Sequence, residues 1–248
     1  MWSGARLVRP DRFNTWPVVE ALARAAPERL EVAPGLRPRL PLPGTHFVDI
    51  SHPALAQLRA AGGHAALGSI TRLPFAEARF DLVCACDVME HVDDDRAAFA
   101  ELARVARPGA AMLLSVPLHR HAWTAFDAMV GHRRRYEPSA LSASLAQAGF
   151  SIRRSATFGL RPRNTNLVAL GMWFLEHRKE RALRWYNRVT PLALRFAPAL
   201  NWRDGFPDAD ETDEVLLLCR KAEPLSEARR GDRVSATEAP RGMGTADG

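Results

Sequence analysis

The sequence predicts an α/β protein: a doubly wound, mainly parallel sheet with helices on both faces and a helical insertion before its last strand. Three observations carry this. Short apolar runs alternate with helix-period segments over residues 29–117. Proline, glycine and aspartate mark the boundaries between them. The chain has 248 residues, 47% hydrophobic and 25% charged, which is ordinary globular composition. That excludes a disordered, collagen-like or coiled-coil chain, and the length suffices to bury a core without disulfides or a structural metal.

The elements follow in order. Residues 14–26 predict a helix, with Thr15 as a cap and Pro17 in the first turn. Residues 29–33, 45–50, 64–68, 80–86 and 110–116 predict strands. Residues 53–62 and 94–109 predict helices. In the second, Phe99, Leu102, Ala103 and Ala106 share a face, Asp93 to Asp95 supply the cap, and Pro108-Gly109 supplies the stop. Pro138 opens a further helix carrying Leu141, Leu145 and Ala148, which Gly149 ends. Residues 151–158 and 214–220 are two more strands. The stretch between them is too long for a simple connection and holds a helix pair or one interrupted helix over 166–189. The predicted organisation is a helical extension (1–28), a main domain (29–221) with a basic, aromatic insertion or lid (160–210), and a disordered tail (222–248) poor in large apolar residues.

Formal net charge is +6, but it is unevenly placed. Residues 161–203 hold nine Arg or Lys against Glu176 and Glu180, while the rest of the chain is close to neutral. Cys84, Cys86 and Cys219 form neither a CxxC pair nor a disulfide framework, and a reducing cytoplasm suits them. Cys84 and Cys86 fall on one side of a strand and read as buried thiols. No apolar run follows the first charges as in a signal peptide, and none reaches the roughly 18 residues of a membrane span.

The block LPFAEARFDLVCACDVMEHVDDDRAAFAELARVARPGAAMLLSVP (73–117) resembles the centre of a class I S-adenosylmethionine-dependent methyltransferase of the type 11 subgroup. WTAFDAMVGHRRRY (123–136), followed by a helix ending AGF (148–150), is similar to a block of one bacterial branch. The resemblance implies a Rossmann-like seven-stranded sheet with an antiparallel final strand, and S-adenosyl-L-methionine as cofactor.

In open α/β sheets a ligand lies beyond the carboxyl ends of the strands, where strand order reverses. The first strand should therefore feed a loop near the cofactor, here Glu31-Val32-Ala33-Pro34-Gly35-Leu36-Arg37. The family pattern is an acid followed by three alternating glycines. Glu31 and Gly35 are kept; Ala33 and Arg37 replace the other two. The next segment, LRPRLPLPG (36–44), carries Pro38, Pro41 and Pro43 where the family has a helix, and these forbid one. Asp49 ends the second strand. Its carboxylate is placed by resemblance to accept ribose hydroxyls, with Ile50 beside it; the alternative is a helix cap before Pro53. Ser69 and the backbone of Ile70 occupy the adenine position, or a plain turn.

By resemblance, the turn Asp87-Val88-Met89-Glu90-His91 faces the methyl donor and the acceptor, with Asp87 also near the cofactor. Methyl transfer needs mainly alignment, and a hydroxyl nucleophile gains from a base. His91 is the first candidate base; its other role is packing or capping the next helix. Asp87, Glu90 and His91 also repeat the acid-x-x-acid-His spacing of ubiquinone-pathway O-methyltransferases, where a divalent metal assists. Here Asp stands where that group has Glu, and metal-free relatives share EHV, so no metal is assigned. The block after the fifth predicted strand holds His119, His121, Trp123, Asp127, His132, Arg133, Arg134, Arg135 and Tyr136. An amphipathic helix there places Trp123, Phe126 and Val130 on one face and Asp127 elsewhere. His132 and the arginines fit an anionic acceptor, or a solvated basic surface.

The insertion mixes Arg with Trp173, Phe174, Trp185, Tyr186, Phe196 and Trp202. A packed lid is the plain reading. Contact of 160–205 with the inner face of an anionic membrane comes second, and RNA comes last because no RNA module accompanies it. The expected activity is methyl transfer to oxygen of a small or lipid-linked acceptor. The alternatives are a non-catalytic scaffold on this fold and an RNA methyltransferase.

Overall fold

The computed structural model describes residues 6–158, 212–223 and, between them, 170–171, 173–174, 177–178, 180–181, 184–185, 187–189, 194 and 197–206. Most of the expected lid and nearly all of the expected tail lie outside the described residues.

An eight-stranded sheet organises the chain. In chain order its strands are β1 (Arg29–Val32), β2 (Thr45–Asp49), β3 (His64–Leu67), β4 (Phe80–Cys86), β5 (Ala106–Pro117), β6 (Phe150–Thr157), β7 (Trp202–Asp204) and β8 (Glu214–Lys221). Their spatial order is β3-β2-β1-β4-β5-β8-β6-β7. β1 to β5 pair in parallel, and β8 inserts antiparallel between β5 and β6. The expected sheet had seven strands. The eighth, β7, comes from the end of the insertion and pairs antiparallel along the outer edge of β6.

Alternation along each strand sorts the core onto two faces. Val83 and Ala85 of β4 join Leu30, Val48, Met112, Leu114 and Leu217 on one side. There Phe99 and Leu102 of α3 (Asp95–Val105) and Leu141 and Leu145 of α5 (Pro138–Gln147) cover them. Leu82, Cys84 and Cys86 face the other side with Leu113 and Leu216. Val19 of α1 (Trp16–Ala25) and Leu40 of the proline-rich link complete that second cluster. The link thus supplies a buried apolar residue where it cannot supply a helix. The N-terminal helix is part of the core rather than an appendage. All three thiols are buried and free.

Boundaries differ in two places. Pro108-Gly109 does not end α3, which stops at Val105; it lies inside the start of β5. Ala106 pairs with Phe80 and Ala111 with Leu82, so a bulge takes up the residues between, and Gly109 has the positive φ that this bend needs. Thr15 sits at the N-cap of α1 but its side chain caps nothing, and its hydroxyl is buried without a partner. By contrast Asp94 caps α3, accepting from the Ala97 N–H at 2.9 Å.

Strand order reverses between β1 and β4, which opens a crevice at their carboxyl ends. The backbone is strained along this edge. Ala33 after β1, Asp87 after β4 and His119 after β5 all have positive φ, at 52°, 54° and 62°. Among the described residues, no helix is long and apolar enough to cross a membrane.

Candidate active site

At the β1 and β2 end of the crevice, Gly35 and Asp49 are brought together. The Gly35 N–H donates to Asp49 Oδ2 at 2.9 Å, and the Ser51 N–H donates to Oδ1 at 2.7 Å. Gly35 has φ +54°, and a Cβ there would meet nothing within 4 Å, so the turn lies against open space. Asp49 does not cap the next helix, α2 (His52–Ala60); the Ser51 hydroxyl does, accepting from the Ala54 N–H. Ile50, next to Asp49, is 76% exposed, unusual for a large apolar residue at a sheet edge. Ile70 is buried. The Ser69 hydroxyl is engaged with Thr71 Oγ1 at 2.9 Å.

Glu31 is turned to another task. It is 1% exposed, and its carboxylate accepts from the N–H groups of Arg39 (2.8 and 3.0 Å) and Leu40 (2.9 Å). It therefore clasps the link beneath the crevice instead of facing it. Burial raises its pKa to about 7 against the lowering effect of those amides and of Arg39.

Arg39, which the sequence reading passed over, is buried and reaches Asp87 Oδ2 at 3.1 Å. Its guanidinium lies over the Phe13 ring at 4.0 Å and near Phe158 at 5.4 Å. Asp87 is also fixed by β5: its N–H and Oδ1 both bond the Ser115 hydroxyl. Burial pushes the Asp87 carboxyl up, but Arg39 and Ser115 outweigh it and hold it below the ordinary range. Glu214 of β8 stands in the opposite state. Burial and the Asp87 charge push its pKa well up, so it carries the proton in the hydrogen bond between the two carboxyls.

The third cluster joins the turn after β4 to the block after β5. Met89–His91 form a single 3-10 turn, and α4 (Ala125–Val130) is a short helix that Gly131 ends with a left-handed φ of 85°. His132 follows, and its Nδ1 lies 2.9 Å from Asp127 Oδ1. A carboxylate only accepts, so Nδ1 carries the hydrogen and Nε2 keeps its lone pair. That Nε2 is 3.8 Å from Glu90 Oε1. His91 stands edge-on to His132 with ring centroids 4.7 Å apart, and its Nδ1 donates to the Gly131 carbonyl at 3.2 Å. Glu90 is 2% exposed, and its Oε2 is buried without a hydrogen-bond partner. Burial, then the Asp87 charge, raises the Glu90 pKa to about 8. Burial outweighs Asp127 at His132 and lowers its pKa, keeping the ring neutral near neutral pH.

Asp127 anchors this cluster and is fully buried. It accepts from the Thr124 N–H and hydroxyl in a capping box, and from Arg135 Nε at 2.9 Å. Against burial, these donors bring its pKa to about 2. Arg135 in turn bonds Asp213 at 2.6 Å and the Leu118 carbonyl at 3.0 Å.

The expected lid face is therefore reversed. Trp123 precedes the helix and is 41% exposed, and the buried member is Asp127. The three arginines do not act as one basic patch. Arg135 is the buried clamp, Arg134 bonds Asp95 and the carbonyls of Val92 and Asp93, and only Arg133 is mainly solvated. His119 is buried beside Glu137, with the His121 ring tilted against it at 5.2 Å. Arg39, Ser115 and Glu214 were not singled out as site residues, and Arg135 was read as part of an anion-binding or solvated group rather than as a buried clamp. An arginine set between prolines and beside a leucine was the available signal for Arg39.

Residues 42–114 match a family model described as a methyltransferase domain. O-methyltransferase cnsE of Penicillium expansum is 32% identical over 85 residues, which cover 32% of this chain and 31% of that protein. The chain thus spans about a third of the curated relative it matches. A S-adenosylmethionine-dependent methyltransferase of Thermotoga maritima superposes with a TM-score of 0.59 at 15% identity, over 85% of this chain and 89% of that one. The cyclase SpnF superposes at 0.52 and 18% identity, over 84% and 81%. Likeness at these identities is likeness of fold.

Proposed function

We propose that the chain is a class I, S-adenosylmethionine-dependent methyltransferase and that it transfers a methyl group to an oxygen of a small or lipid-linked acceptor. The observation that carries this is the pairing, on one sheet edge, of the Gly35–Asp49 turn with the Glu90, His91 and His132 cluster. The partial match to an O-methyltransferase supports oxygen as the target.

The residues fit the cofactor at its nucleoside end. Asp49 keeps acceptor capacity beyond its two backbone bonds, which suits ribose hydroxyls. Ile50 offers an exposed apolar surface for a base, and Ala33 and Gly35 give the left-handed backbone that brings the loop close. Glu31 serves indirectly, by holding the link. When bound, S-adenosylmethionine supplies a methyl group on a positively charged sulfur. At the other end, Asp127 fixes the tautomer of His132 so that Nε2 can take a hydroxyl proton, and Glu90 and His91 flank that atom. Arg39 and Ser115 keep Asp87 ionised between the two regions.

Calorimetric titration with S-adenosylmethionine and its demethylated product tests the reading. Saturable binding is expected, weakened about tenfold or more in Asp49→Ala, since a hydrogen bond to a charged group contributes roughly 1.5–3 kcal/mol. Absence of binding by folded wild-type protein would sink the methyltransferase reading and favour a scaffold.

The acceptor side has a second feature. Arg181, Arg184, Trp185 and Arg188 line one cavity, and Trp185 is 63% exposed, with Trp173 and Leu170 also exposed. This favours a lipid surface as the place where the acceptor is met. Sedimentation with phosphatidylglycerol vesicles is expected to carry the protein down at low salt. The triple variant Arg181→Gln, Arg184→Gln, Arg188→Gln should stay in solution. Equal sedimentation of both proteins would sink this part of the reading.

A further inference from the structure

We propose that Glu90, His91 and His132 form a binding site for one divalent transition-metal ion, of the borderline class represented by zinc. One ligand atom from each of the three lies within 4.8 Å of the others. Two imidazoles and one carboxylate make a ligand set that suits such ions and leaves coordination positions open.

Four features argue for a ligand rather than a chance cluster. The Glu90 side chain is almost wholly buried, yet Oε2 has no hydrogen-bond partner. A buried, unsatisfied carboxylate oxygen is costly unless something absent from the protein itself meets it. Glu90 Oε1 faces His132 Nε2 at 3.8 Å, so a shift of about half an ångström brings both within reach of one ion. Both imidazoles are also oriented as metal ligands are. His132 donates Nδ1–H to the buried Asp127, and His91 donates Nδ1–H to the Gly131 carbonyl, so each ring turns its lone pair outward at Nε2. Finally, the backing is rigid: Arg135 and Thr124 hold Asp127, and Gly131 is the left-handed end of α4.

The set differs from the one that spacing along the chain suggests. Asp87 is taken up by Arg39 and Ser115, and its place is filled by His132, which α4 and its capping box bring from the other side of the crevice. Arg133 is the nearest cation in sequence, and it turns away to Asp93 at 3.3 Å. His91 is exposed, so the ion has a path from solvent and its open positions face outward.

The inference deepens the methyltransferase reading and changes one role in it: with the ion on Nε2, His132 is a ligand and not the base, and an acceptor oxygen on the ion would release its proton to solvent more readily than in water. Binding of the metal does not itself depend on that reading. The experiment is therefore done without turnover. Full-length protein is stripped with EDTA, then titrated with zinc by calorimetry and with cobalt(II) by visible absorption. One ion per chain is expected, with cobalt bands of a four- or five-coordinate site carrying nitrogen ligands. His132→Gln and His91→Gln should each weaken binding at least thirtyfold and bleach the bands. His64→Gln, at the histidine pair with His46 on the opposite edge, should leave both unchanged. Circular dichroism shows whether each variant is folded, and His91→Gln, at an exposed position, gives the folded test if His132→Gln does not. Weak binding, binding of several ions, or binding indifferent to His91 and His132 would overturn the proposal. S-adenosylmethionine titrated into the same stripped protein separates the two readings. Cofactor binding without metal binding overturns the metal site alone. Metal binding without cofactor binding upholds the site and overturns the methyltransferase reading.

Discussion

Asp127→Ala is expected to lower the unfolding free energy by about 3–5 kcal/mol, the range for breaking one side of a buried ion pair. Asp127 and Arg135 are 0% and 3% exposed at their side chains, and Nε of Arg135 lies 2.9 Å from the carboxylate. Without Asp127 the guanidinium keeps, among the described residues, Asp213, which is 42% exposed, and the Leu118 carbonyl. The capping box of α4 goes at the same time, because the Thr124 N–H and hydroxyl both donate to this carboxylate. His132 loses the acceptor that sets its tautomer. Asp127→Asn keeps the shape and one acceptor oxygen, so its loss should be smaller but of the same sign. Asp93→Ala removes a partner of Arg133 at a pair 82% and 59% exposed, and should leave the midpoint unmoved. Urea unfolding at neutral pH measures all three. A loss below about 1 kcal/mol for Asp127→Ala would mean that the clamp relaxes to solvent, against the mechanism for such pairs.

This cluster also shows where sequence reasoning stopped. The strands and helices were legible because apolar period and punctuation agree: FDLVCAC lies between two turns, and Pro138 and Gly149 bracket α5. Asp49, Glu90 and His91 were legible as positions because each closes a strand or opens the turn after it. Partners were not legible. Arg133, Arg134 and Arg135 are identical letters, and only the folded backbone sends one to solvent, one to the carbonyls before α3 and one into the core. His132 meets Glu90 only because β4 and β5 are neighbours in the sheet. Pro108-Gly109 misled for a related reason. The pair reads as a helix stop, but the chain had already turned, and a bulge accommodates it in β5. The missing helix between β1 and β2 was legible from three prolines; that Leu40 would fill the core and Arg39 would reach Asp87 was not. Proline content says what backbone is excluded, not where the side chains go.

The link has a pH dependence that follows from its clasp. Between about pH 5 and pH 8, wild-type protein is expected to lose roughly 3 kcal/mol of stability relative to Glu31→Gln, from 1.36 kcal/mol per pH unit of displacement. The carboxyl has an ordinary value of 4.5 in the unfolded chain and about 7 when folded, because burial disfavours its charge. Between those values the folded state binds the proton and the unfolded state does not. Stability from this group is therefore fully present below pH 4.5 and lost as pH rises through 7. Asp127 works in the opposite sense, with its pKa held at about 2, but its loss falls below pH 4 and outside the window. Gln at position 31 keeps an oxygen for the Arg39 and Leu40 N–H groups and removes the titration. Glu214 and other raised carboxyls are common to both proteins, so the difference between the two curves isolates Glu31. Urea unfolding at pH 5, 6.5 and 8 would show curves that diverge with rising pH, Glu31→Gln becoming the more favoured. Parallel curves would mean that Arg39, paired with Asp87 just above the clasp, meets the Glu31 charge more fully than its geometry indicates. Divergence in the opposite direction would mean that the carboxylate, not the acid, holds the link.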